Sequence, residues 1–247
     1  MKKKNLLLDF HKKTKIVLKK NNDTETDYPL TWIKIFFKSY PRFKSIKLLK
    51  PKVKKISLDV CLLKRESFRD FTNKPLKKQE FSDILYYSSG IINKHKVKNW
   101  DETRRTFPSA GARYPLETYI IIFNVIDIPS GIYHYNVKNN SLECISVGDF
   151  RLECYNAIIQ PLIKTCSCLI LISSVFDRTR IKYGDRAYRY ILFDTGHLMQ
   201  NIYLESASLD IGCCAIGGFS DNKINSLLDL KEEEEAVIYI SALGVKK

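Results

Sequence analysis

The chain has 247 residues, 45% of them apolar, and a formal net charge of +14, enough for one domain with a sizeable core, or one domain with an appendage. No stretch approaches the roughly 18 apolar residues of a membrane span. The three leucines at 6–8 behind Lys2, Lys3 and Lys4 are too few for a signal-peptide core, so a cytoplasmic protein without membrane contact is expected.

The charge is uneven. Residues 1–55 hold 17 Lys+Arg against 4 Asp+Glu, whereas residues 56–247 hold 24 against 23. This divides the chain into a basic N-terminal extension, 1–55, and a main domain, 56–247. No helix-turn-helix, zinc finger or basic aromatic platform accompanies the lysines, which weighs against nucleic acid. An acidic peptide or a partner protein suits the segment better. Seven cysteines, at 61, 144, 154, 166, 168, 213 and 214, show no Cys-x-x-Cys and no zinc spacing; reduced, mostly buried thiols and no metal are expected.

The extension carries apolar clusters such as Leu30-Thr-Trp-Ile-Lys-Ile-Phe-Phe37, punctuated by Pro29, Pro41 and Pro51. A helical period begins after Ser57, with Val60 and Leu63 on its apolar face. A second helix follows Pro75, with Phe81, Ile84 and Leu85 inward and Gly90 at its end. Residues 116–125 read as a buried strand and 131–147 as a hairpin turning near Asn139 and Asn140. Asp149 is placed to cap a short helix, and 166–175 is a strong strand in which Cys166 and Cys168 share a face. A helix from about 185 to 209 would be about 37 Å long, so it must cross the domain or line a subunit interface. Ser220 starts a last helix, and 236–243 is the final strand. The arrangement is α+β.

Four segments carry candidate chemistry. In Arg65-Glu-Ser-Phe-Arg69, an extended backbone aims Arg65, Ser67 and Arg69 to one side, which suits a phosphate-bearing ligand; a helix-end charge cluster is the plain alternative. Thr106-Phe-Pro-Ser-Ala-Gly-Ala-Arg-Tyr-Pro115 is a small-residue loop that lets backbone amides approach a flat ring, or an ordinary turn. Gly212-Cys-Cys-Ala-Ile-Gly-Gly-Phe219 reads as a second tight loop, with Gly217 and Gly218 presenting N–H groups. Lys182 and Tyr183 must sit in a loop, ended by Gly184, to act on one substrate; Arg178, Arg180 and Arg186 stand nearby to favour a neutral lysine. The plain alternative is a solvated basic run. Asp194, His197 and Asn201 share a helix face and read as structural. Without a P-loop, a Cys/His/Asp triad or G-x-G-x-x-G, kinase, hydrolase and Rossmann readings fall away.

In this order, with Phe10-His11 and Thr14-Lys15 ahead of them, these motifs resemble the SagB-type (ThcOx-type) dehydrogenases. Those are FMN-dependent azoline oxidases of the nitroreductase fold, acting in the biosynthesis of thiazole- and oxazole-containing peptides such as bacteriocins. The resemblance implies an α+β nitroreductase-like FMN-binding fold with a mixed central sheet and a long interface helix, in a homodimer. It assigns Arg65, Ser67 and Arg69 to the FMN phosphate, ribityl chain or pyrimidine edge. Pro108, Ser109 and Gly111 would lie against the ring, and Ile216, Gly217 and Gly218 would give backbone contacts near N5. Lys182 would accept a proton from the azoline of a peptide substrate, Tyr183 would orient the ring, and oxygen would reoxidise the flavin. Glu66 stands where many nitroreductases have a second arginine, and only Lys246 and Lys247 follow the last strand. Two competing readings remain: a reductase taking electrons from NAD(P)H for dehydroamino acids, nitro compounds or quinones, and a non-catalytic scaffold for a cyclodehydratase complex.

Overall fold

The computed structural model describes residues 6–16, 37–97 and 100–247, without the side chains of 93–102. The apolar cluster at 30–37 lies, apart from Phe37, outside them. The chain opens with α1 (Leu6–Lys13), the short strand β1 (Ser45–Lys47) and α2 (Leu58–Lys64). Of α2 only Cys61 is buried, and Leu63 is 87% exposed. The expected Val60/Leu63 face is therefore split, Val60 half-buried and Leu63 turned outward, because seven residues make two turns and the helix meets the domain around Cys61. Helix α3 (Lys78–Ser89) buries Phe81, Ile84 and Leu85 as its spacing requires, starts with the Lys77 amide donating to the Glu80 carboxylate, and stops at Gly90. A hairpin of β2 (Ile91–Val97) and β3 (Trp100–Arg105) follows.

Strands β4 (Leu116–Ile122), β5 (Gly131–Asn136) and β6 (Ser141–Val147) form a meander, and Asn140 takes a left-handed φ of 49° in the last turn. Then come α4 (Arg151–Ala157), whose Arg151 amide is capped by Asp149, β7 (Cys168–Val175), α5 (Asp177–Tyr183), α6 (Ala187–Ser208), β8 (Ile211–Ile216), α7 (Asp221–Leu227) and β9 (Glu235–Val245).

The main sheet has the order β1-β6-β5-β4-β7-β9-β8, and every pair in it is antiparallel. This corrects the mixed sheet expected above. The α6 crossover does make β7 and β8 parallel to each other, but β9 inserts between them and opposes both. Every residue of β4 is buried, with Ile120 and Ile122 in one apolar cluster and Tyr119 and Ile121 in the other. The sheet is thus covered on both faces, each fully buried aliphatic side chain contributing roughly 1.5–3 kcal/mol. Ile46 and Leu48 pack with the same core, so the end of the basic segment is built into the domain. The seven cysteines are free, and all but Cys144 are buried. Among the described residues no helix is long and apolar enough to cross a membrane, and no cluster has metal-ligand geometry.

Candidate functional site

Helix α6 has 22 residues, about 33 Å, and two groups of motif residues gather on it. Near its C-terminal half is the 65–69 segment. Ser67 Oγ is 2.8 Å from the Tyr203 hydroxyl, and the Arg65 guanidinium lies 5.5 Å over the Tyr203 ring. Arg69 is exposed and donates to the Ser67 carbonyl at 3.0 Å. The Tyr203 hydroxyl also accepts the Ala215 amide at 2.8 Å, so one phenol ties the Arg-Ser-Arg segment to β8. The composition of 212–219 suggested a loop, but 211–216 is this edge strand, paired with β9. A run of small residues suits it because Phe71 fills the space where side chains at Gly212 and Gly244 would stand. Ile216 ends the strand buried, and Gly217 and Gly218 follow exposed.

Near the other half of α6 is the 108–115 loop. Its backbone turns at three left-handed positions, Gly111 (φ 58°), Ala112 and Tyr114. Asp194 holds it: the carboxylate accepts the Ser109 hydroxyl at 2.5 Å and the Ala110 amide at 3.3 Å. Burial pushes the Asp194 carboxyl up to about 6, against those two hydrogen bonds. Pro108 is exposed at the loop's edge. Asn201 also fastens this region, donating to the Ser88 and Thr106 carbonyls, whereas His197 is exposed and does not join it.

Lys182 and Tyr183 are the last residues of α5 and not in a loop; Gly184 (φ 54°) ends the helix. Convergence does not need a loop, because adjacent helical residues diverge by about 100° rather than the 180° of a strand. A Cβ on Gly111 would collide with the Tyr183 hydroxyl and lie 3.1 Å from Lys182 Nζ, so both groups reach the same point of the loop. The Tyr183 ring packs edge-on to Tyr190 with centroids 4.7 Å apart. Burial, with Tyr190 and Asp194 nearby, raises the Tyr183 phenol above its ordinary value. Of the arginines expected to act on Lys182, Arg178 pairs with Glu117, Arg180 pairs with Asp177, and Arg186 donates to the Tyr190 hydroxyl and the Thr14 carbonyl. Arg113 donates to the Arg178 carbonyl at 2.6 Å, so loop and helix are laced together.

Tyr203 and Arg113 organise the site with no role assigned to them from the sequence, where Asp194 stands only as part of a helix face and Arg178 only as a cation near Lys182. The signal for Tyr203 was a hydroxyl inside the apolar stripe Leu198, Met199, Ile202, which requires a partner once buried.

A seven-stranded antiparallel sheet, covered on both faces and bordered by one long helix that pins the 65–69 segment, the edge strand β8 and the 108–115 loop, is the α+β architecture of the nitroreductase fold. The Nitroreductase family model matches residues 62–245, and the chain belongs to that family. A nitroreductase-like protein of Methanocaldococcus jannaschii is 34% identical over 74% of this chain and 89% of its own length. The trifolitoxin operon protein TfxC of Rhizobium leguminosarum bv. trifolii is 30% identical over 74% of this chain, and the microcin B17-processing protein McbC of Escherichia coli 23% over 62%. The chain spans 54% of TfxC and 59% of McbC. A solved nitroreductase-like structure from Anabaena variabilis superposes with TM-score 0.78 at 27% identity, over 96% of this chain and 45% of that one. The E. coli microcin synthetase McbBCD complex, with truncated pro-MccB17 bound, contains a chain of the same fold at 19% identity and TM-score 0.64, covering 98% and 92%.

The residues present fit FMN, the flavin of this fold family. Arg65 and Arg69 offer guanidinium donors for a phosphate. A Cβ on Gly218 would meet no atom of the chain within 4 Å, so the space beside that backbone is open to a flat ring.

Proposed function

We propose that the protein is an FMN-dependent dehydrogenase that oxidises thiazoline or oxazoline rings in a ribosomally made peptide. The observation that carries this reading is the convergence of Lys182 and Tyr183 on Gly111, beside a loop braced by Asp194. The relatives TfxC and McbC, whose names tie them to the trifolitoxin operon and to microcin B17 processing, support the substrate class.

FMN, when bound, supplies the hydride acceptor. Arg65, Ser67 and Arg69 would hold its phosphate and chain, Pro108, Ser109 and Gly111 would border its ring, and Ile216, Gly217 and Gly218 would offer backbone contacts. Aromatising an azoline also removes a proton from the adjacent carbon. Lys182 Nζ takes that proton, and Tyr183, held against Gly111 and Tyr190, orients the ring. Exposed Leu58, Leu62 and Leu63 of α2 and Leu192 and Phe193 of α6 give a homodimer its apolar face. Residues 1–55 serve as a basic extension to the 56–247 flavin domain and as a contact for the peptide or a cyclodehydratase partner.

The test is the visible spectrum of the purified protein, held without oxygen, before and after adding a thiazoline peptide. Bleaching that air reverses, and that Lys182→Ala abolishes, is the expected result. A flavin that stays oxidised with the peptide but bleaches with NADH or NADPH would establish instead a reductase, the reading favoured by the archaeal relative described as a nitroreductase.

A further inference from the structure

The family match begins at residue 62, yet residues 10–16 are fastened to the N-terminal end of α6. Phe10 packs edge-on to Tyr188 with ring centroids 6.0 Å apart. The Arg189 guanidinium donates to the His11 carbonyl at 2.8 Å and lies 5.8 Å over Phe10. Arg186 donates to the Thr14 carbonyl at 2.6 Å, and Thr14 is 3% exposed. These contacts, made more than 170 positions away in sequence, hold a short peptide that a helix of eight residues could not order alone.

The held stretch borders a cleft of about 440 Å³. Lys13, Lys15 and Ile16 form one wall, and Lys182, Tyr183 and Arg186 stand in the other. Among the described residues Asp185 is the one acidic residue lining it, against four cations. Arg186 is occupied by the Thr14 carbonyl and Tyr190, whereas Lys13 and Lys15 are exposed at the rim. A cleft in which one sign of charge predominates concentrates ligands of the other.

We propose that residues 13–16 are the outer wall of the substrate cleft served by Lys182 and Tyr183, and that Lys13 and Lys15 select peptides with a carboxylate beside the reacting ring. This rests on the oxidation reading for the identity of the ring, and on the contacts above for the wall. Arg189 is a positioning residue, holding the wall without lining the cleft.

The experiment uses the full-length flavin-loaded protein and two peptides that differ only in Asp or Asn next to the ring. Binding is read by fluorescence anisotropy with the ring already a thiazole, and turnover by anaerobic bleaching with the thiazoline. The Asp peptide is expected to bind and react about 3- to 10-fold better at low salt, with the preference fading as salt rises. K13Q/K15Q brings the ratio to about one, and Arg189→Ala weakens binding of both peptides. Equal affinity for the two peptides, or a preference that K13Q/K15Q leaves intact, overturns the proposal. If the Asp preference and its loss in K13Q/K15Q are seen in binding but neither thiazoline bleaches the flavin, the cleft assignment stands and the oxidation reading fails. If both thiazolines are oxidised with equal efficiency, the oxidation reading stands and the wall's role in selection is overturned.

Discussion

The Arg178 guanidinium of α5 and the Glu117 carboxylate of β4 form a buried ion pair at 2.6 Å, one helical turn before Lys182. The same carboxylate meets His134 at 3.0 Å, and the other nitrogen of that imidazole meets Glu143 at 2.9 Å. A charge chain thus runs through three adjacent strands into the base of the helix that carries the Lys-Tyr pair. Arg178→Met removes the cation paired with buried Glu117 and leaves it only Arg105 and His134, and a loss of about 3–5 kcal/mol in urea unfolding is expected. Arg178→Lys keeps the charge but not the planar fork, and should fall between. A Met variant as stable as the parent would show that the pair does not hold α5.

Acid and neutral pH should weaken the fold for opposite reasons. Burial opposes ionisation of Glu117, but the His134 hydrogen bond and the Arg178 and Arg105 guanidinium groups outweigh it and pull the carboxyl down to about 2. Its stabilisation is therefore complete above the ordinary value of 4.5 and is lost as pH falls towards 2. Burial raises Asp194 to about 6, and burial with Asp83 nearby raises Glu205 to about 7. Their charged forms cost stability, with no cost below pH 4 and the full cost above about 7. For Asp194 the cost is on the order of 2–3 kcal/mol. Urea midpoints measured from pH 2 to 8 should peak near pH 4–5. The double variant D194N/E205Q should flatten the decline between pH 5 and 7, and an unchanged decline there would assign it to other groups.

Gly111 should tolerate no side chain while Tyr183 keeps its hydroxyl. Alanine there meets both a left-handed φ of 58° and the phenol oxygen. Backbone strain alone costs about 1 kcal/mol, and displacement of Tyr183 adds to it. In a double-mutant cycle, Gly111→Ala should cost less stability in a Tyr183→Phe background than in the parent. Additive effects would mean that the two groups do not press on each other.

Tyr203→Phe removes the hydroxyl shared by Ser67 and the Ala215 amide. A loss of about 1–2 kcal/mol is expected from the unmet polar groups. FMN affinity of the apoprotein, followed by quenching of flavin fluorescence, should fall several-fold because Ser67 and the 215–218 backbone lose their common anchor. Unchanged affinity would place the flavin away from this segment.

Much of this architecture was legible in the sequence wherever periodicity and burial agree. Phe81, Ile84 and Leu85 marked α3, Asn139 and Asn140 marked the hairpin turn, and the β-branched run at 116–125 marked a buried strand, which ends at Ile122. The motif order was equally legible, since it depends only on residue identity. Strand β8 was not, because Gly212, Cys213 and Cys214 resemble a turn by composition, and their strand state depends on Phe71 filling the space beside Gly212. The helical state of Lys182 and Tyr183 was hidden in a basic run with no apolar period. Antiparallel pairing throughout followed from where β9 inserts, which no local pattern records.

Helix α6 works as a ruler. Arg186 at its threshold touches Thr14 in the stretch 10–16, Asp194 braces the loop beneath the Lys-Tyr pair, and Tyr203 joins the Arg-Ser-Arg segment to β8. Those marks are fixed in both spacing and azimuth, since each residue added or removed turns everything beyond it by about 100° and shifts it by about 1.5 Å. A single deletion between Asp194 and Tyr203 would leave the helix a helix and the core largely apolar, yet it would point one of the two groups away from its loop. Point changes at α6 positions that touch none of these partners can accumulate, while its length between those two residues cannot drift by even one.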